Sequence, residues 1–184
     1  MPGRAKEDKL RVFFYFSDLK DHLMQHIETE RKFLVDHDAW KKLKKPPGQT
    51  LYQGYLCADE KKTIRVRVVG EQGFITIKGE PTGCSRREFE YPVPGIEAAE
   101  ILNLFTKNII RKTRYRIHYK NLLWEVDEFH DENNGLILAE IELNNENDCF
   151  EKPDWIGMEV TTDRRYYNSY LSVHPYSGWI NKKP

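Results

Sequence analysis

Little in this chain points to the cell exterior, the membrane or covalent catalysis. Its 184 residues hold three cysteines, Cys57, Cys84 and Cys149, widely spaced and odd in number. No CxxC or Cys/His cluster offers a zinc site, and three free thiols fit a reducing cytoplasm, the expected location. No apolar run approaches the roughly 20 residues of a membrane-spanning helix. Val12-Phe13-Phe14-Tyr15-Phe16 is too short for a secretory core and has acidic residues around it. No membrane partner is expected. An excess of one charge sign is also missing: 29 basic residues balance 29 acidic ones. A nucleic-acid-coating surface is usually basic overall, so nucleic acid is not an expected partner and any anion site has to be local. No serine or cysteine sits in a nucleophile motif. The six histidines, His22, His26, His37, His118, His130 and His174, do not assemble into a site.

What the chain does have is charge, at 32% of residues against about a quarter in typical domains. The charge is patterned. Glu28, Glu30 and Lys32 recur at spacing two in Ile27–Val35, which in a strand puts them on one face. Arg65 with Arg67, Thr76 with Lys78, and Arg86 with Glu88 and Glu90 repeat the pattern. Lys112, Arg114 and Arg116, then Glu125 and Asp127, then Glu140 and Glu142 continue it. Between them stand apolar residues such as Ile64, Val66, Ile75, Ile77, Val126 and Ile141. A solvated sheet face is the ordinary explanation of alternation. It fits blocks of one sign less well, because like charges about 7 Å apart on one face destabilise a sheet unless compensated. Clustered carboxylates call for a hard divalent cation, and clustered guanidinium groups call for phosphate. Both together suggest a metal-bound polyphosphate.

The chain is long enough for one domain. Residues 1–25 lack the alternation and read as a dispensable extension, with a short amphipathic helix or a disordered tail as alternatives. Met24 is a plausible start, and a protein beginning there is expected to fold and keep its activity. Strands are expected at Ile27–Val35, Thr50–Cys57, Thr63–Val69, Phe74–Gly79, Arg86–Val93, Ile109–Tyr119, Leu122–Phe129 and Leu136–Leu143, eight in all. Helices are expected at Asp38–Leu43, ending before Pro46-Pro47, and at Gly95–Lys107, where the apolar period lengthens. Glu146–Phe150 reads as a short helix and Asp163–Leu171 as a helix capped by Asp163. The fold class is α+β, mainly β. Regularly spaced antiparallel strands suit a sandwich or a barrel, and a barrel lets the charges point into a wet lumen while helices cover the apolar outside.

Glu28-Thr29-Glu30-Arg31-Lys32 resembles the ExExK signature of CYTH domains, the triphosphate tunnel metalloenzymes. Ile64-Arg65-Val66-Arg67, Ile75-Thr76-Ile77-Lys78-Gly79, Arg86-Arg87-Glu88-Phe89-Glu90 and Lys112-Thr113-Arg114-Tyr115 continue the likeness in order. Trp124-Glu125-Val126-Asp127, Ala139-Glu140-Ile141-Glu142-Leu143, Glu159-Val160-Thr161 and Asp163-Arg164-Arg165-Tyr166 complete it, over residues 26–176, with 177–184 as a tail. The resemblance implies an antiparallel eight-stranded β-barrel with flanking helices, forming a tunnel. It also implies hydrolysis of a triphosphate with Mg²⁺ or Mn²⁺. The small bacterial-type members, many of which cleave inorganic triphosphate, look most similar. Adenylate cyclase, thiamine triphosphatase, nucleoside triphosphatase and a non-catalytic polyphosphate-binding module are the alternatives. A homodimer is one possible assembly.

Carried onto this chain, the resemblance implies Glu28, Glu30, Asp127, Glu140 and Glu142 as metal ligands. Lys32, Arg65, Arg67, Lys78, Arg86, Arg114 and Arg116 become the phosphate grip, and Tyr55 and Lys112 the groups that position or activate water. Glu88, Glu90 and Glu125 are either further ligands or ion-pair partners of the arginines. Arg31 and Arg87 fall on the opposite face. Arg165 is read either as reaching the tunnel from the terminal helix or as a surface residue.

Overall fold

Eight antiparallel strands close on themselves. In the computed structural model, which describes residues 26–179, they are β1 (Ile27–Val35), β2 (Gln49–Ala58), β3 (Lys62–Val69), β4 (Gln72–Gly79), β5 (Ser85–Pro94), β6 (Ile110–Tyr119), β7 (Leu122–Phe129) and β8 (Ile137–Glu142). The order β5-β4-β3-β2-β6-β7-β8-β1 is completed by a β1–β5 pairing, so the sheet forms a ring. The extension before His26, with Met24, lies outside the described residues, as does the tail beyond Trp179. No helix among the described residues is long and apolar enough to cross a membrane.

Local chemistry sets the connections. Gly70, at φ 58°, turns β3 into β4, and Lys120, at φ 53°, turns β6 into β7. Helix α1 (His37–Lys42) starts where Asp36 accepts the Ala39 amide at 2.8 Å, and Lys41 and Lys42 lie in its last turn. Helix α2 (Gly95–Phe105) follows Pro94 and buries Ala98 and Leu102 against Val66, Val68, Ile75 and Val93. It approaches the sheet where side chains are missing. A Cβ on Gly73 would stand 2.4 Å from that of Ala98, and one on Gly54 would stand 2.6 Å from Thr106 Oγ1.

Two sequence expectations are corrected here. Residues 146–150 form turn and irregular chain rather than a helix, with Asp148 accepting the Asn145 amide at 3.0 Å. Asp163–Leu171 is split: a 3-10 turn over Arg164–Tyr166, capped by Asp163, precedes a four-residue helix α3 (Asn168–Leu171). The structure also adds a ninth strand, β9 (Ile156–Glu159), which pairs with β1 outside the ring.

The barrel is apolar outside and ionic inside. Phe33, Val35, Trp124, Val126, Ala139 and Ile141 point outward from β1, β7 and β8 and pack with Trp40 of α1 and Trp155. Trp40 meets Tyr115 and Trp155 edge-on at centroid distances of 5.5 and 5.6 Å. The inward face becomes apolar at one end, where Ile110, Phe129, Leu136 and Leu138 pack with Val160 and with Leu171 of α3. That cluster forms a floor under the charged lumen.

Trp40 therefore ties α1 to the barrel wall. Trp40→Ala is expected to cost about 3–5 kcal/mol in urea unfolding, whereas Leu104→Ala, on the exposed side of α2, should stay within about 0.5 kcal/mol. Equal, small effects would show that α1 is not part of the cooperative unit.

Candidate functional site

Antiparallel register brings opposite charges face to face around the lumen. Lys32 stands opposite Glu140, and Glu28 opposite Arg86. Lys78 stands opposite Glu88, Arg114 opposite Asp127, and Arg116 opposite Glu125. The lumen is a cavity of about 1140 Å³ lined by most of the residues singled out in the sequence.

The basic side chains form three groups. Arg65 and Arg67 share Glu90, at 3.2 and 2.9 Å, and Thr76 fixes that carboxylate at 2.7 Å. Lys78 holds Glu28 at 2.7 Å and Glu88 at 2.6 Å, while Arg86 reaches Glu28 at 2.9 Å. Arg114 is the hub of the third group. It grips both oxygens of Asp127, at 2.7 and 2.6 Å, and also bonds Glu140 at 3.0 Å and Glu125. Lys32 completes that group through Glu140 and through Glu30 at 3.2 Å. Arg116 lies further out, half-exposed, paired to Glu125 at 2.9 Å.

Titration follows from these contacts. Burial alone would raise Glu28, but Lys78 and Arg86 hold it well below the usual carboxylate range. Burial likewise opposes the ionised forms of Glu140 and Asp127; Lys32, Arg114 and Lys112 keep Glu140 low, and Arg114 and Lys112 keep Asp127 low. Glu88 moves the other way, up to about 7, through burial and the Glu28 carboxylate beside it. Glu142 is also raised, by burial and by the charges of Glu28, Glu30 and Glu125.

The sequence-predicted metal ligands do not stand equally. Glu30 faces Glu142 across the β1–β8 pairing, with Glu28 two residues away. Glu142 has no ion pair or side-chain hydrogen bond of its own among the described residues. Here the lumen has more negative charge than its cations offset, which suits a hard divalent ion held by oxygen ligands. As the side chains stand, no three His, Cys, Asp or Glu groups among the described residues converge tightly enough to hold one. Glu140 lies one step deeper on the same face, clasped by Lys32 and Arg114. Asp127 is deeper still, with its oxygens taken up by Lys112 and Arg114.

Tyr55 lines the cavity, and burial pushes its hydroxyl up to about 12, so it remains a donor at neutral pH. The amide of Gln53, a buried lumen neighbour that sequence reasoning passed over, donates to Tyr55 Oη at 3.2 Å. Lys112 is not at the cavity surface. It is buried near the floor, 2.6 Å from Asp127 and over the ring of Phe129, and burial brings its ammonium down to about 8.

The weaker candidates are also placed. Glu88, Glu90 and Glu125 are ion-pair partners of the lumen cations. Arg31 points out of the lumen and pairs with Glu159 of β9 through Nε at 2.8 Å. Arg165 folds back on its own cap, Asp163, at 2.6 Å, and takes the surface role of its two readings. Its neighbour Arg164 lines the cavity instead. Strand alternation carries no signal for Arg164, because a 3-10 turn follows no period of two.

Comparison with known proteins agrees with this geometry. The profile of the CYTH domain matches residues 26–172. An inorganic triphosphatase of Acetivibrio thermocellus is 51% identical over 153 residues, covering 83% of this chain and 97% of the relative. An inorganic triphosphatase of Nitrosomonas europaea is 34% identical, covering 79% and 97%. A solved structure described as an inorganic triphosphatase superposes with a TM-score of 0.56 at 31% identity, covering 79% of this chain and 94% of that one. A putative adenylate cyclase from Bacillus halodurans, at 16% identity and a TM-score of 0.55, shares the fold. With a family match across most of its length and these relatives beside it, this chain belongs to the CYTH domain family.

Proposed function

We propose that this protein is a divalent-metal-dependent hydrolase that cleaves inorganic triphosphate to pyrophosphate and phosphate inside its barrel, in the cytoplasm. The observation that carries the reading is the ring of lysines and arginines converging on one lumen beside an acidic cluster in excess of its cations. The naming of relatives at 51% and 34% identity as inorganic triphosphatases supports it.

In this reading Glu28, Glu30 and Glu142 hold Mg²⁺ or Mn²⁺, with Glu140 beside them. Such an ion supplies Lewis-acid activation of a phosphoryl oxygen and of the attacking water. Arg65, Arg67, Lys78, Arg86, Lys32 and Arg114 exchange carboxylate for phosphate oxygens as substrate enters, and Arg116 contacts it nearer the opening. The exchange is cheap, because these cations are already desolvated and aimed inward, and each bidentate guanidinium finds a similar acceptor. Tyr55 donates its hydrogen to phosphate, since the Gln53 amide already occupies its oxygen as acceptor. Lys112 and Asp127 act one layer below the substrate by fixing Arg114.

Substrate choice tests the reading. Catalytic efficiency under common Mg²⁺ conditions is expected to be higher for inorganic triphosphate than for ATP, because the recognised groups are phosphates. Cyclic AMP as the main product from ATP would move the protein to the cyclase reading. Metal dependence should be strict: EDTA removes turnover, Mg²⁺ or Mn²⁺ restores it, and Glu142→Gln weakens the restoration. Full turnover in metal-free buffer overturns the mechanism.

The basic residues are expected to separate into two kinds. Arg65→Ala leaves Glu90 paired with Arg67, so it should keep its melting temperature and lose about tenfold or more in kcat/KM, the worth of one charged hydrogen bond. Arg114→Ala leaves buried Asp127 to Lys112 alone and buried Glu140 to Lys32 alone, and should also destabilise the fold, by about 3–5 kcal/mol. Arg111→Ala, which removes an exposed pair with Asp131, serves as the control. If Arg65→Ala matched that control in kcat/KM, the assignment of Arg65 to the phosphate grip would fail.

A further inference from the structure

Strand β1 changes partners in the middle of the site. Along one edge β5 pairs with it only as far as Thr29, and β9 begins at Phe33. Glu30 and Lys32, which line the lumen, lie in the gap between the two. Their backbone amides still need acceptors. The Cys84 carbonyl takes the Glu30 amide at 3.0 Å, and Thr161 Oγ1 takes the Lys32 amide at 3.0 Å. Two residues outside the strands therefore close the barrel wall beside the acidic cluster.

Each of these acceptors is held in turn by a carboxylate. Thr161 Oγ1 donates to Glu159 at 2.7 Å, and Glu159 grips Arg31. Cys84 depends on Glu146. With Gly83 it forms a two-residue turn between β4 and β5, closed by Thr82 and Ser85, whose amides and carbonyls bond each other at 2.8 and 3.1 Å. Of the two turn residues only Gly83 has a positive φ, 63°, the pattern of a type II′ hairpin turn. Glu146, on the turn after β8, accepts the Cys84 amide through Oε1 at 3.1 Å. A Cβ on Gly83 would stand 2.7 Å from that oxygen, so glycine serves both the turn and the approach of the carboxylate. One chain of contacts thus runs from exposed Glu146 through Cys84 to the Glu30 amide.

We infer that Glu146 is a positioning residue for the acidic cluster, acting through Cys84 on the main chain of Glu30. The inference rests on the reading of Glu30 as a metal ligand. Glu30 faces Glu142 across the β1–β8 pairing, and like charges directly opposite each other destabilise the pairing, so the strand that carries Glu30 has to be held from its other edge. The Cys84 carbonyl does this, and Glu146 fixes Cys84. Glu146 follows Glu142 by four residues, so the segment that leaves β8 also secures the strand opposite it. Partners that fix the direction of a ligand contribute to metal affinity without touching the metal. Glu146 contacts neither the ion nor the substrate.

The test compares Glu146→Ala with Glu146→Gln, which keeps an acceptor oxygen. Glu151→Ala, which removes an exposed carboxylate of the same segment paired with Lys120, is the control. Hydrogen exchange of the metal-free protein reads the strut directly. In Glu146→Ala the Glu30 amide should exchange roughly tenfold faster, the effect of losing one charged hydrogen bond. The Lys32 amide, held by Thr161, should keep its rate. The Mg²⁺ concentration for half-maximal triphosphate cleavage should rise roughly threefold to tenfold, short of the about tenfold to hundredfold loss at a direct partner of a ligand. Turnover at saturating Mg²⁺ should hold. Glu146→Gln should restore both readouts, and the control should match the wild type. An unchanged Glu30 exchange rate in Glu146→Ala, equal losses in the Ala and Gln variants, or an equal loss in the control overturns the inference. Failure of the underlying reading looks different. If titration calorimetry finds no divalent cation bound to the wild type, the metal reading of Glu30 fails. Faster Glu30 exchange in Glu146→Ala then still upholds the positioning role, and unchanged exchange refutes it.

Discussion

The structure depends on keeping a barrel full of ions close to neutral. A closed ring leaves the lumen charges few routes to water, so each has to be offset by its neighbours. Antiparallel register does this locally, setting Lys32 against Glu140 and Arg114 against Asp127. Such pairs are not a source of stability in themselves, because desolvation consumes much of the Coulombic gain. Stability comes from the other face of the same strands, where Phe33, Trp124, Val126 and Ile141 pack with Trp40 and Trp155. One period-two sequence therefore writes two programmes, an apolar shell that folds and an ionic interior that waits for a ligand.

The exceptions to neutrality are informative because the rule is so closely kept. Glu142 is an acid without a partner, pushed upward by three other carboxylates. An interior that pairs nearly every charge but leaves an acid over is matched to a ligand that brings positive charge with it. A divalent cation on a polyphosphate is such a ligand, and it completes the neutrality that the protein leaves open.

Much of this was legible in the sequence, because alternation at spacing two fixes the face on which a side chain falls. All eight ring strands and the inward direction of the charged residues follow from it. Depth does not. Asp127 and Glu125 share a face, yet Asp127 is sealed at 1% exposure near the floor while Glu125 is half-buried among the arginines. Nothing local separates them, since depth comes from the stagger of the strands and from the apolar residues Phe129 and Leu138 one step further along. The four residues of β9 were too few to show a period, and Gly157 and Met158 do not alternate with Ile156 and Glu159 as a half-buried strand would. The supposed helix at 146–150 was a short polar run whose side chains serve the turn instead, with Glu146 bonding the Cys84 amide at 3.1 Å.

The floor also decides how the interior can work. Ile110, Phe129 and Leu138 occupy the same inward positions as the charged residues above them, and Leu171 of α3 and Val160 pack against them. An anion cannot be stabilised among such groups, so the ionic part of the lumen ends where they begin. Arg114 stands just above that boundary with partners on β7 and β8, and Lys112 and Asp127 brace it from below. Its guanidinium is thus held in place before any ligand arrives. In the phosphate grip proposed above, that bracing is what Arg114 would need to stabilise developing charge, since a charge that need not reorganise during the reaction contributes its full effect. The buried Lys112–Asp127 pair, which adds little to stability, has its explanation in the position it imposes on Arg114.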